Sequence, residues 1–162
     1  MSQLVKEILT RINFAEKYQE VCNKFSNLEN GLTFKRLDVK KVLALCNINL
    51  CYAVNEKCFY MDYSFKDSNL RFTMSFKHGY VECFYAIWNK NDSDRVVGRF
   101  NTFATLQNPQ FNDITKHKFP IATSKEELQD IIGEIWDLHN NFLTAFEYAT
   151  TSAMYSRTQP NH

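Results

Sequence analysis

The clearest pattern of apolar and polar positions lies near the C-terminus, in residues 124–149. Ser124 followed by Glu127 is a capping box, in which the hydroxyl and the carboxylate satisfy free N–H groups at the start of a helix. At about 100° per residue, the apolar side chains that follow fall on one arc. They are Leu128, Ile131, Ile132, Ile135, Leu138, His139, Phe142, Leu143 and Phe146, with His139 as the polar member. The pattern predicts one long helix with a core-facing side.

The opposite side of this predicted helix is densely acidic. It carries Glu126, Glu127, Asp130, Glu134 and Asp137, which we call the acidic stripe. The helix dipole favours carboxylates in the first turn only, so it does not explain the last three. Like charges one turn apart repel, and a basic partner would turn that repulsion into attraction. We therefore expect the stripe to contact a partner, the plain alternative being a solvated helix face.

The N-terminal part of the chain also has helical periodicity. Apolar residues recur every three or four positions from Val5 to Phe25, which predicts an amphipathic helix over residues 2–25. Asn30-Gly31 is a turn signal that follows it. Residues 32–48 fit a short helix and a buried strand equally well, and we favour a strand from Val39 onward.

In the middle of the chain the period becomes two, as a β-strand requires. Strands are expected over residues 49–54, 57–65, 70–77, 80–88 and 95–103. The turns between them are short, so neighbouring strands should be antiparallel. Residues 104–122 contain Pro109 and Pro120 and little periodicity, and we expect a long crossover loop that is functional or mobile.

These elements predict an α+β fold, in which an antiparallel β-meander of four to five strands packs with an N-terminal helix and a long C-terminal helix. The chain has 162 residues, 44% of them hydrophobic, a size and composition that suit one domain with a conventional core. We assign residues 1–154 to that domain and expect a disordered tail over 155–162.

Charge and cysteine usage narrow the function. The net charge of +1 argues against a broad basic surface for nucleic acid. The five cysteines are odd in number and form no Cys-x-x-Cys pair, so we expect reduced core residues and no metal site; they are Cys22, Cys46, Cys51, Cys58 and Cys83. No apolar run is long enough to span a bilayer and the N-terminus lacks the pattern of a leader peptide, so a cytoplasmic location is expected.

Residues that would indicate an enzyme are few. Cys83 with His78 or His117 is the only nucleophile and base pair to consider, and no nucleophile-turn motif surrounds it. His139 lies on the apolar arc of the last helix, which favours a hydrogen-bonded core histidine over a ligand or a base. The four glycines are isolated from one another, so no phosphate-binding loop is present. We expect no catalysis and no cofactor.

Two aromatic stretches, residues 58–63 and 83–88, have a second interpretation. If one face of the sheet were open, their rings could stack on RNA bases. Most of these rings are expected in the core, and the nearby cations are too few for a phosphate track; they are Lys66, Arg71, Lys77 and Lys90. A small-molecule or peptide site in an aromatic pocket between sheet and helices is the alternative function.

Residues 116–120, 123–128 and 131–135 read KHKFP, TSKEEL and IIGEI. These three segments resemble the C-terminal part of small bacterial immunity proteins from contact-dependent growth inhibition and related polymorphic toxin systems. The resemblance implies a β-meander that leads through a loop into one long helix. It also implies a non-catalytic cytoplasmic protein that binds and blocks one cognate toxin domain, often a nuclease. The acidic stripe would then imitate the phosphates that a nuclease binds, and the partner region would be the last helix with the 104–122 loop.

Overall fold

A computed structural model describes residues 3–90 and 95–157 of the chain. The first elements are three helices, α1 (Gln3–Arg11), α2 (Phe14–Lys24) and α3 (Arg36–Leu45). Five strands follow, β1 (Cys51–Ala53), β2 (Cys58–Ser64), β3 (Ser68–Lys77), β4 (Tyr80–Asn89) and β5 (Arg95–Arg99). The chain continues into α4 (Phe100–Gln107), α5 (Phe111–Ile114) and the long α6 (Lys125–Arg157).

The strands form one antiparallel sheet in the order β1-β2-β3-β4-β5. With helices before the sheet and a long helix at the end, the predicted α+β fold is confirmed. The longest pairing joins β3 to β4 through a tight turn, where His78 and Gly79 have φ of 52° and 83°. A side chain at Gly79 would also meet the Cα of Gly31 at 2.9 Å, so this turn requires glycine.

The helices pack against one face of the sheet, which we call the inner face. Tyr85 of β4 is fully buried there, and its ring centroid lies 4.9 Å from that of Phe100 in α4 and 4.4 Å from that of Phe142 in α6. Successive side chains of a strand point to opposite faces. Tyr85, its β3 partner Phe72 and the β2 residue Met61 opposite Phe72 therefore define the inner face across the middle of the sheet.

Residues 32–48 differ from the expectation, because the strand favoured from Val39 onward is the helix α3. Val39, Val42 and Leu43 are buried, at the spacing of one helical face. An ion pair from Lys125 Nζ to Asp38 Oδ1, 2.8 Å long, joins α3 to the start of α6. The short apolar run was compatible with both structures, and packing against α6 decides for the helix.

The N-terminal helix is also interrupted. Asn13 adopts a left-handed conformation with φ 53° between α1 and α2, which asparagine tolerates better than most residues. The break lets both helices pack on neighbouring elements, since α1 and α2 each contact α4 and α6.

The strand predicted over residues 95–103 ends at Arg99, where the chain turns directly into α4. Phe100, Phe103 and Ala104 are buried on one side of this helix. The predicted 104–122 loop therefore contains the second half of α4 and all of α5. Its last part is anchored by Ile121, which forms an antiparallel bridge with Tyr80.

The start of α6 follows the predicted cap in part. The backbone N–H of Glu127 donates to Ser124 Oγ at 3.1 Å, as expected. The Glu127 carboxylate instead accepts bonds from the N–H and the hydroxyl of Thr123, at 2.8 and 2.6 Å. The helix continues to Arg157, and the remainder of the predicted tail, residues 158–162, lies outside the described residues. In the described part of the chain, no helix is long and apolar enough to cross a membrane.

Candidate binding surface

The other face of the sheet, which we call the outer face, carries no helix in the described part of the chain. The strand registers place alternate residues of every strand on it. Its central residues are Tyr60, Asp62, Arg71, Thr73, Glu82, Phe84, Ala86, Trp88, Arg95, Val97 and Arg99. Val97 is 60% exposed although it is apolar. This face is thus an uncovered surface of aromatic, aliphatic and charged side chains.

Aromatic rings and arginines alternate across the outer face. The Cζ atom of Arg71 lies 4.5 Å from the ring centroid of Tyr60. On the other half of the face, Arg95 lies over Trp88 at 5.7 Å and Arg99 over Phe84 at 5.6 Å. Each is a cation–π contact, which holds the flexible arginine in a defined position. The four neighbouring strands β2 to β5 therefore present three pairs of a ring and a guanidinium group to the outside.

Two of these arginines also have carboxylate partners. Arg71 donates from Nε and Nη2 to the two carboxylate oxygens of Asp62, at 2.7 and 2.8 Å, a bidentate pair. The hydrogen bonds to Asp62 raise the pKa of the Arg71 guanidinium above its usual value. Arg99 Nε lies 3.1 Å from Glu82 Oε1. The two carboxylates offset much of the positive charge of the outer face.

The residues of the acidic stripe do not act as one group. Lys24 of α2 pairs with Glu134 at 2.5 Å, and the Glu127 carboxylate is bound to Thr123. Glu126, Asp130 and Asp137 remain exposed along α6. The pairing with α2 could not be read from the sequence, because the two residues are far apart in the chain.

His139 is a core residue, as predicted. It is fully buried, its Nε2 lies 2.9 Å from the hydroxyl of Tyr63 and its Nδ1 lies 3.1 Å from the hydroxyl of Tyr85. The imidazole also stacks on Phe72, with ring centroids 4.1 Å apart. Burial lowers the pKa of His139 to about 3, so the ring is neutral at physiological pH.

The catalytic pairing considered for Cys83 is not assembled among the described residues. Cys83 is buried on the inner face, and burial raises the pKa of its thiol well above the usual value. His78 lies in the exposed β3–β4 turn, while His117 lines a cleft on another part of the surface. In the described residues no group of three or more potential ligands is placed to hold a metal ion.

The five cysteines are free. Cys22, Cys58 and Cys83 are buried, as expected, whereas Cys51 is exposed on the edge strand β1. The expectation of a core position was therefore wrong for Cys51, because the short strand β1 turns it to the outer face.

Aromatic rings fill the layer between sheet and helices around Phe72. Phe72 contacts Tyr85, Phe100 and Trp136 with centroid distances between 5.8 and 6.0 Å. A cleft of about 520 Å³ lies elsewhere, between the end of α2, the 116–121 segment and the start of α6. Its lining is mixed, with Lys24, Lys116, His117, Glu29 and Glu127 beside Phe25, Leu28 and Ile121.

Sequence reasoning named both aromatic strands and Arg71, but it did not identify the outer face as a site. The signal was the alternation of β4, in which Phe84, Ala86 and Trp88 lie opposite Tyr85 and Ile87. That pattern shows two apolar faces, and only the positions of the helices reveal which one is uncovered.

Compared with known proteins, the chain matches no family model, no curated protein and no solved structure.

Proposed function

We propose that this protein is a non-catalytic binding protein of the cytoplasm that neutralises a cognate toxin domain by protein–protein contact, and that the outer face of the sheet covers the toxin. The single observation that carries the proposal is the uncovered row of Tyr60, Arg71, Phe84, Trp88 and Arg95. Tryptophan, tyrosine and arginine are the residue types most enriched among the side chains that dominate protein–protein binding.

The scaffold suits this role because the outer face is held rigid from beneath. Its strands share the backbone of the inner face, where Phe72 and Tyr85 are fully buried under α4 and α6. The cation–π contacts fix the arginines before a partner arrives, which reduces the side-chain entropy lost on binding. A preorganised surface of this kind supports tight binding without a conformational change.

The charges on the outer face favour a protein partner over RNA. Asp62 and Glu82 pair with Arg71 and Arg99, so few cations are free to contact phosphates. The faces of Tyr60, Phe84 and Trp88 are also occupied by guanidinium groups, which a stacking base would have to displace. A protein partner can bind against both rings and ion pairs as they stand.

The proposal of a toxin as the partner rests on the resemblance of residues 116–135 to bacterial immunity proteins. The acidic stripe remains a second proposed contact region. Glu126, Asp130 and Asp137 are exposed and would attract a basic partner, such as a nuclease. The stripe would then act on the rate of association and its salt dependence, while the outer face would supply most of the affinity.

The test uses the protein encoded by the reading frame next to this gene. Its purified C-terminal domain is titrated with the full chain by calorimetry. We expect binding, and we expect Trp88→Ala to weaken it by at least about 2 kcal/mol, roughly thirtyfold. Tyr148→Ala is the control, because Tyr148 is 61% exposed on α6 and lies about three turns beyond the end of the acidic stripe. Absence of binding, or equal loss in both variants, would contradict the proposal.

A further inference from the structure

The strand β5 is the last strand of the sheet, and in the described residues no segment pairs with its other edge. It has the sequence Arg95-Val96-Val97-Gly98-Arg99, in which two β-branched residues lie between two arginines and no proline prevents pairing. The opposite edge strand, β1, has only three residues and is less suited to add a partner strand.

The direction of the backbone groups in β5 follows from the hydrogen bonds of its neighbours. Lys90 N–H donates to Asp67 C=O at 3.0 Å. The backbone N–H and C=O groups of even-numbered residues in β4 therefore point toward β3. Val81 N–H correspondingly donates to Pro120 C=O on the other side of β4. Of the register pairs between β4 and β5, those that exchange backbone hydrogen bonds are therefore Tyr85 with Gly98 and Ile87 with Val96. It follows that Val97 turns its N–H and C=O toward the open edge.

The side chains beside this edge indicate which residue types an added strand should have opposite them. Arg95, Val97 and Arg99 all project to the outer face, and all three are exposed. Directly opposite side chains of neighbouring strands contact one another, and opposite charges there are favourable. An added strand would suit this edge with an apolar residue opposite Val97 and carboxylates two positions away on either side.

A second copy of this chain is a poor occupant. A two-fold pairing of β5 with β5 centred on Val97 would set Arg95 opposite Arg99 of the other copy twice. Like charges directly opposite destabilise a strand pair. Gly98 adds no complementary side chain, because it is covered on the inner face by Phe103, which a Cβ would meet at 2.5 Å.

From these observations we infer that the edge of β5 binds an extended segment of the partner protein as a sixth strand, and that this segment carries the pattern acidic-x-apolar-x-acidic. This inference rests on the proposed function and names the way the partner is held. Main-chain bonds to Val97 would supply the attachment, and Arg95 and Arg99 would select acidic neighbours. The added strand would extend the outer face without covering Trp88.

The experiment uses two synthetic peptides, Thr-Glu-Thr-Val-Thr-Glu-Thr and Thr-Lys-Thr-Val-Thr-Lys-Thr, titrated into the full chain and followed by NMR. We expect the acidic peptide to slow hydrogen exchange of the Val97 amide and to bind on the order of tenfold more tightly than the basic peptide. Val97→Pro removes the outward N–H without touching the bonds to β4 and should abolish this binding. Val97→Thr keeps the N–H and should retain it.

Equal binding of both peptides, or retained binding by Val97→Pro, would overturn the inference. So would a dimer that Val97→Pro converts to a monomer, because the edge would then belong to a second copy. Protection of the Val97 amide by an oligouridine rather than by the acidic peptide would likewise assign the edge to nucleic acid. If no peptide binds while Trp88→Ala still weakens the toxin complex, the edge inference fails and the proposed function stands.

Discussion

The guanidinium group of Arg71 lies over the ring of Tyr60 while it is paired with Asp62. All three residues lie on the outer face, in two neighbouring strands. An arginine held by a ring and a carboxylate at once is oriented without being buried, since its side chain is 38% exposed. The outer face therefore carries ordered charge at a place where the fold itself does not require it.

Removing Arg71 should consequently affect binding more than folding. The ion pair is exposed, and pairs of this kind contribute at most about 1 kcal/mol to stability. We expect Arg71→Ala to lower the free energy of unfolding by less than that amount and to weaken binding of the proposed toxin partner by about 2 kcal/mol. Urea denaturation and calorimetry measure the two effects. A larger loss of stability than of binding energy would show that Arg71 serves the fold instead.

Acid should destabilise the protein through His139. The pKa of His139 is lowered to about 3 in the fold, while an unfolded histidine titrates near 6.5. Below 6.5 the unfolded chain takes up a proton that the folded chain does not, so this stability is complete above pH 6.5 and is lost toward pH 3. The expected loss is about 1.4 kcal/mol per pH unit within that window.

Urea denaturation at pH 7 and pH 5 measures this effect. His139→Gln keeps a donor and an acceptor between Tyr63 and Tyr85 but does not titrate. Its stability should be lower at pH 7 and should change less between the two pH values than that of the wild type. An identical pH dependence in both proteins would show that another group causes the acid sensitivity.

Two glycines should respond to alanine in opposite directions. Gly133 lies inside α6, and a Cβ there would meet no atom within 4 Å. Gly133→Ala should therefore raise the free energy of unfolding by about 1 kcal/mol, the difference in helix propensity. Gly98→Ala would bring a Cβ to 2.5 Å from the ring of Phe103 and should destabilise the protein. Thermal unfolding compares both with the wild type, and a rise in melting temperature for Gly98→Ala would contradict the packing of α4 under β5.

The cap of α6 offers a local test. Ser124→Ala removes the acceptor of the Glu127 N–H bond and should cost about 1 kcal/mol. Glu127→Gln keeps an acceptor for Thr123 and should cost less. Urea denaturation measures both losses. A Ser124→Ala variant with the same free energy of unfolding as the wild type would contradict this role of the cap.

The sequence was sufficient for the parts of the fold that local pattern determines. The meander followed from alternation and short turns, and the buried face of α6 followed from its helical period, including His139. The errors lie where tertiary packing decides. Val39 to Leu45 became a helix beside α6, and Phe100 and Phe103 left the strand pattern to pack under Tyr85.

The candidate surface depended on information that no single segment contains. From the sequence, most rings of residues 58–63 and 83–88 were expected in the core, and the apolar residues on both faces of β4 did not show which rings would be the exceptions. Within residues 3–90 and 95–157 the helices lie on the other face, which leaves Phe84 and Trp88 uncovered. The acidic stripe was recognised as a pattern in the sequence. The ion pair that neutralises Glu134 with Lys24 was not, because it depends on the approach of α2 to α6.

The central proposal is that the outer face contacts the partner, and hydroxyl-radical footprinting of the complex with the proposed toxin domain tests it most directly. The method reports the solvent access of individual aromatic side chains. The account predicts that oxidation of Tyr60, Phe84 and Trp88 falls in the complex, while oxidation of Tyr148, about three turns beyond the acidic stripe on α6, is unchanged. Protection of Tyr148 with unchanged oxidation of the three outer-face rings would contradict it.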